Sequence, residues 1–200
     1  MPSSRGELGL LELQQLLIRE PPAPAHTANT LAIFDALSNE QVGSAREEFA
    51  SRWRSLHFFL NWTFLPTKLE VCETEDESLV FTVLWMAGWW RRRLEVYDAD
   101  ESLIGYGEQR ALSGPRSFWV YDRRGLPFVE VQEALRGHNC CFMGQGGREL
   151  GAVTSAFSDV DTARHYVVSI AEEVADQPFA KMLLLAAALA IYIVPQMRAK

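Results

Sequence analysis

Met182–Val194 reads MLLLAAALAIYIV, thirteen residues without a charge. Pro178 stands just before this run, close to the first turn, where proline's missing N–H costs nothing. Pro195 stops it. A membrane-spanning helix needs about 20 apolar residues, so a run of this length reads as a buried core helix. A helix apolar on every side has to be surrounded on every side. In a 200-residue chain the architecture that achieves this is a sheet curled into a barrel around the helix. The reading predicts a helix over Pro178–Val194, with Leu185, Ala188, Leu189 and Ile193 all nearly fully buried.

The sequence upstream supplies the strands. Leu94-Glu95-Val96-Tyr97-Asp98 is followed seven residues after the Asp by Gly105, and Phe118-Trp119-Val120-Tyr121-Asp122 at the same distance by Val129. Leu31-Ala32-Ile33-Phe34-Asp35 leads to Gly43, and a degenerate copy, Cys140-Cys141-Phe142-Met143-Gly144, leads to Gly151. Each unit alternates apolar and polar residues, passes a polar turn and starts a second short strand, which is the signature of a β-hairpin. Self-similarity at this spacing also fits a solenoid. With no helix in the repeat and only four copies, a closed antiparallel meander fits better. Further strands are predicted at Thr67–Glu73, Ser78–Trp85 and His165–Ile170. Ala45–Leu56 is ambiguous between helix and strand. The leucines of Met1–Arg19 read as a short amphipathic opening segment.

Composition narrows the function classes. Apolar residues make up 48% of the chain, enough for a sizeable core. The formal net charge of −7 argues against a general nucleic-acid or anionic-membrane binder, unless a local basic patch overrides it. Three cysteines, Cys72, Cys140 and Cys141, do not make a disulfide framework, so a reducing, cytoplasmic compartment is favoured. Met1–Arg19 carries Glu7 and Glu12 and lacks the basic and apolar regions of a signal peptide. No linker divides the chain, and 1–200 reads as one domain.

The order of elements resembles the phospholipid scramblase and tubby C-terminal-like superfamily over roughly residues 90–194. The stretch that carries the resemblance is Phe157-Ser158-Asp159-Val160-Asp161-Thr162, then the strand around Tyr166–Ile170, then acidic residues, then Phe179-Ala180-Lys181-Met182 opening the apolar helix. The resemblance implies a closed antiparallel barrel wrapped around a central C-terminal helix and a phospholipid membrane surface as partner; no cofactor is assigned, and calcium is the candidate. It marks Asp159, Asp161, Glu172 and Glu173 as candidate calcium ligands. Read on their own, these residues do not make an EF-type loop: counting from Asp159, position 5 is Ala163, position 6 is Arg164 and position 12 is Ile170. A turn held by Asp side chains explains them without metal.

Trp89-Trp90-Arg91-Arg92-Arg93 is the candidate lipid-binding run. Tryptophan favours the bilayer interface, and arginine pairs with phosphate through two parallel hydrogen bonds. Arg116, Arg123 and Arg124 are candidate neighbours. The competing reading is a hairpin turn at Gly88 with one tryptophan in the core and the arginines in water. Asp98, Asp100 and Glu101 read as a hairpin tip. Cys140 and Cys141 read as small buried hydrophobes, with acylation as the other option. The four histidines have no ligand spacing. No Gly-x-Ser-x-Gly elbow or cysteine signature is present, so no catalytic residue is assigned and an enzyme is not expected. The expected protein is a closed antiparallel β-barrel of about a dozen strands around one helix. Its expected role is a non-enzymatic phospholipid-binding module, peripheral at a membrane, with no nucleic-acid partner. The alternative is a soluble intracellular barrel for a protein or ligand partner.

Overall fold

The computed structural model describes residues 9–19, 30–48, 67–87, 92–109, 118–133, 139–157 and 164–190. Twelve strands run in chain order: β1 Gln15–Arg19, β2 Thr30–Asp35, β3 Gln41–Glu48, β4 Thr67–Glu73, β5 Leu79–Ala87 and β6 Arg92–Asp98. They continue as β7 Leu103–Gln109, β8 Phe118–Asp122, β9 Pro127–Glu133, β10 Asn139–Gly144, β11 Glu149–Phe157 and β12 Arg164–Ile170. Every strand pairs antiparallel with its neighbours in sequence, and β1 pairs with β12 to close the barrel. Closure leaves no sheet edge.

The walls follow the two-residue period of a strand. Leu94 and Val96 point inward and are buried, as are Phe118 and Val120, and Val129 and Val131 on the next two walls. An eight-stranded barrel is just wide enough for its own side chains to fill, so twelve strands leave space for another element. The helix α1, Pro178–Ala188, fills it. Every residue from Ala180 to Ala190 is buried, so beyond the exposed Pro178 and Phe179 the helix has no outward face. Leu185, Ala188 and Leu189 are buried as expected, while Ile193 lies outside the described residues.

The sequence repeat becomes a structural device. Asp35, Asp98 and Asp122 each end a strand and turn the chain. Asp98 Oδ1 accepts hydrogen bonds from the Asp100 and Ser102 amides at 3.0 and 2.8 Å. Asp122 Oδ1 does the same for Arg124 and Leu126 at 2.9 and 2.8 Å. A β-bulge follows in each of these two hairpins: Ile104 in β7 is the extra residue opposite Val96 and Tyr97, and Phe128 in β9 the extra residue opposite Val120 and Tyr121. Gly105 pairs with Val96 beside that bulge. A Cβ there would stand 2.4 Å from the Tyr121 carbonyl oxygen and 2.7 Å from a Leu183 methyl, so the glycine lets wall and helix approach. Val129 holds the equivalent place in the next hairpin.

Two parts of the sequence reading change. The opening segment contains a strand: Leu16 and Ile18 face the core and Gln15 faces out, a period of two hidden in a leucine-rich run. Ala45–Glu48 belongs to β3, and 49–56 lies outside the described residues.

Candidate functional site

All five hairpin turns between described strands lie at one end of the barrel, the near mouth. The start of β1 and the end of β12 lie there too, since Gln15 pairs with Ser169. The helix enters from this end after a single 3-10 turn, Glu172–Val174. Seven connecting segments make up the near mouth: 9–14, 36–40, 74–78, 99–102, 123–126, 145–148 and 171–177. They hold ten carboxylates and three arginines, a formal charge of −7. The whole chain carries −7, so its remainder is formally neutral. The acidic balance belongs to one end of the molecule.

The other end is the far mouth. β6 begins there, with Arg92 paired to both Ala87 and Gln109. Trp89, Trp90 and Arg91 lie outside the described residues, as does the side chain of Arg92. Arg93 faces outward, opposite in phase to buried Leu94. Its guanidinium lies 4.7 Å from the Tyr106 ring centroid. It ion-pairs with Glu95 at 2.8 Å and with Glu108 at 3.6 Å. Tyr106 stacks on Tyr121 with centroids 5.1 Å apart. Arg93 is thus committed to a clasp across β6, β7 and β8, and its charge is already paired. Arg123 and Arg124 sit in the β8–β9 turn at the near mouth, at the opposite end from the start of β6, so they do not join the Trp89–Arg93 run.

The acidic candidates divide in the same way. Glu172 and Glu173 are exposed in the turn before the helix, and Glu173 pairs with Arg148 at 2.9 Å. Asp159 and Asp161 lie outside the described residues. Their flanking strand residues, Phe157 and Arg164, pair with each other at the far end of β11 and β12. Six steps of β12, about 20 Å, separate Arg164 from Ile170. Among the described residues no three His, Cys, Asp or Glu side chains are grouped to hold a metal.

Cys72 and Cys140 are buried and Cys141 is half-buried on the outer face, and all three are thiols rather than disulfides. Burial, reinforced by the nearby Glu149 charge, raises the Cys141 thiol above its ordinary value of 9.0, the reverse of an activated nucleophile.

Lys181, which the sequence placed only in the entry to the helix with no role of its own, is a buried charge. It lies in the first turn of α1 and is 1% exposed. Its Nζ donates to the carbonyl oxygens of Leu11 and Leu13, the latter at 3.2 Å. Burial pushes its ammonium below the usual 10.5, against the raising effect of Asp176 and Glu12. The positive end of the helix dipole adds to the cost of a cation here. The available signal was a lone charge in an otherwise apolar helix entry.

The fold and these sites define a twelve-stranded antiparallel meander barrel with a helix as its core. Comparison of the chain with protein-family models, with curated proteins and with solved structures finds no match. No helix among the described residues is long and apolar enough to cross a membrane.

Proposed function

We propose that the chain is a scramblase- and tubby-like, non-enzymatic module that binds phospholipid at a membrane surface, with its far mouth toward the lipid. The observation that carries this reading is the segregation of charge along the barrel axis. An anionic surface repels the near mouth, with its charge of −7. The far strand ends are joined by segments 20–29, 49–66, 88–91, 110–117, 134–138 and 158–163. By sequence these segments carry six arginines against three carboxylates and four of the six tryptophans of the chain. Tryptophan and arginine together are the composition of an interfacial contact. The helix-filled interior also supports an external site rather than a ligand inside the barrel.

The test is co-sedimentation with vesicles of phosphatidylcholine alone and of phosphatidylcholine with phosphatidylserine, each with and without Ca²⁺. Binding to the anionic vesicles that weakens as salt rises is the expected result. Equal absence of binding to all four preparations overturns the reading. It would favour the second one, a soluble interaction barrel whose acidic near mouth meets a basic protein. The −7 end is the observation behind that alternative.

A further inference from the structure

Gly9–Gln14 crosses the near mouth above the first turn of the helix. Leu10 and Leu13 point into the barrel and are buried, and a Leu10 methyl lies against Gly43. The segment adds no rung to the sheet, because β1 begins at Gln15. A few groups fasten it. The Leu10 amide donates to Glu73 Oε1 at 3.1 Å, and the Ile170 amide donates to Gln14 O at 2.8 Å. Lys181 holds Leu11 O and Leu13 O from below.

Lys181 is an expensive choice for this position. A methionine of similar length would pack among Ala180, Met182 and Leu184 without a buried charge at a helix N-terminus. What the amine adds is a pair of donors aimed at two carbonyls of one crossing segment. Both the ammonium and the neutral amine supply two N–H groups, so the grip does not depend on the charge state. The paired strands on either side are held by continuous ladders. The crossing segment is held by the side chains of Glu73 and Lys181 and by one backbone bond at its Gln14 end, which places it at the low-stability end of the molecule.

We propose that Gly9–Gln14 is a latch over the near mouth, with Lys181 as its catch, and that it opens while the barrel stays closed. Opening frees two backbone carbonyls and bares the apolar seat of Leu10 and Leu13 beside Gly43. The β1–β2 and β1–β12 pairings from Leu16 and Gln15 onward are kept, and the backbone bond from the Ile170 amide to Gln14 O marks where the opening stops. This proposal does not rest on lipid binding.

Amide hydrogen exchange on the full chain tests it. In Lys181→Met, the amides of Leu10 and Glu12 should exchange at least tenfold faster, while those of β6 and β8 stay within about twofold of wild type. Equal acceleration in both regions, or none in the latch, overturns the proposal. A second variant guards against misfolding of the first. Leu10→Ala loosens the latch from its own side, and Lys181 should then react with an amine-directed acylating reagent at least tenfold faster than in wild type. A Lys181 that remains as protected in Leu10→Ala as in wild type also overturns the proposal.

Discussion

The near mouth and the sequence segments that join the far strand ends differ in formal charge. The near mouth is a ring of short turns, capped by Asp35, Asp98 and Asp122, and it carries the entire net charge of the chain. The far strand ends are joined by segments in which arginines outnumber carboxylates and tryptophans gather. The formal −7 of the whole chain argued against an anionic partner. Once the charges are sorted by barrel end, that argument applies to one end only. Net charge describes a molecule poorly when its topology sorts the charges along an axis.

The largest expected effect concerns what lies between the mouths. Ala188→Asp buries an unpaired carboxylate in the middle of the helix-filled core, at a cost of several kcal/mol, roughly the stability of a domain. We expect no soluble folded protein. A variant that purifies as a monomer with a normal far-UV spectrum and cooperative melt would break the central-helix account.

Next comes Gly105→Ala, where the new methyl meets the Tyr121 carbonyl and Leu183. The walls have to shift, and overpacking of this kind costs about 1–3 kcal/mol. The urea midpoint should fall accordingly.

The contrast between the mouths is sharpened by paired double variants. Arg91→Ala with Arg92→Ala should weaken partitioning onto anionic vesicles about thirtyfold, at about 1 kcal/mol for each arginine. Arg123→Ala with Arg124→Ala, at the near mouth, should leave it within about twofold. Equal losses would show that binding has no preferred end. Arg93 is left out of the pair because its clasp with Tyr106, Glu95 and Glu108 would mix a folding effect into the result.

Smaller effects follow pH. Burial lowers Lys181 below 10.5 in the folded chain, so protonation opposes folding. That cost is complete below the folded value and is relieved as pH rises from there toward 10.5. Wild type should therefore gain stability relative to Lys181→Met over that interval, measured by paired urea titrations. The sign is reversed at Asp35. The Leu37 amide first, with help from Ser38, holds its carboxyl below 3.8. The contribution is present above 3.8 and is lost as pH falls through the folded value. Asp35 is half-buried at a turn open to water, so Asp35→Asn should remove about 0.5 kcal/mol or less of acid-sensitive stability.

Much of this architecture was legible because it rests on local chemistry. A charge-free run too short to span a membrane implied a wrapped helix, and an Asp after each alternating strand implied a hairpin. The strand Gln15–Arg19 was missed because leucines on both of its faces blurred the period of two. The fate of Arg93 was not legible, since Tyr106 and Glu108 come from the next strand and meet it only through register. The separation of Arg123 and Arg124 from the Trp89–Arg93 run was hidden for a related reason. It depends on which end of a strand each turn occupies, and nearness in sequence carries no such information.

The position of the helix in the chain sets the order of assembly. Pro178–Ala188 follows all twelve strands, so during synthesis the walls leave the ribosome before the piece that fills them exists. The barrel also closes by pairing β1 with β12, across about three quarters of the chain. Contacts so distant in sequence form slowly, and open apolar strands are prone to aggregate while they wait. A chain halted before residue 178 would carry every strand and have nothing to close upon. Closure of the barrel is therefore a late event, and chaperones that shield unfinished sheets should raise its yield.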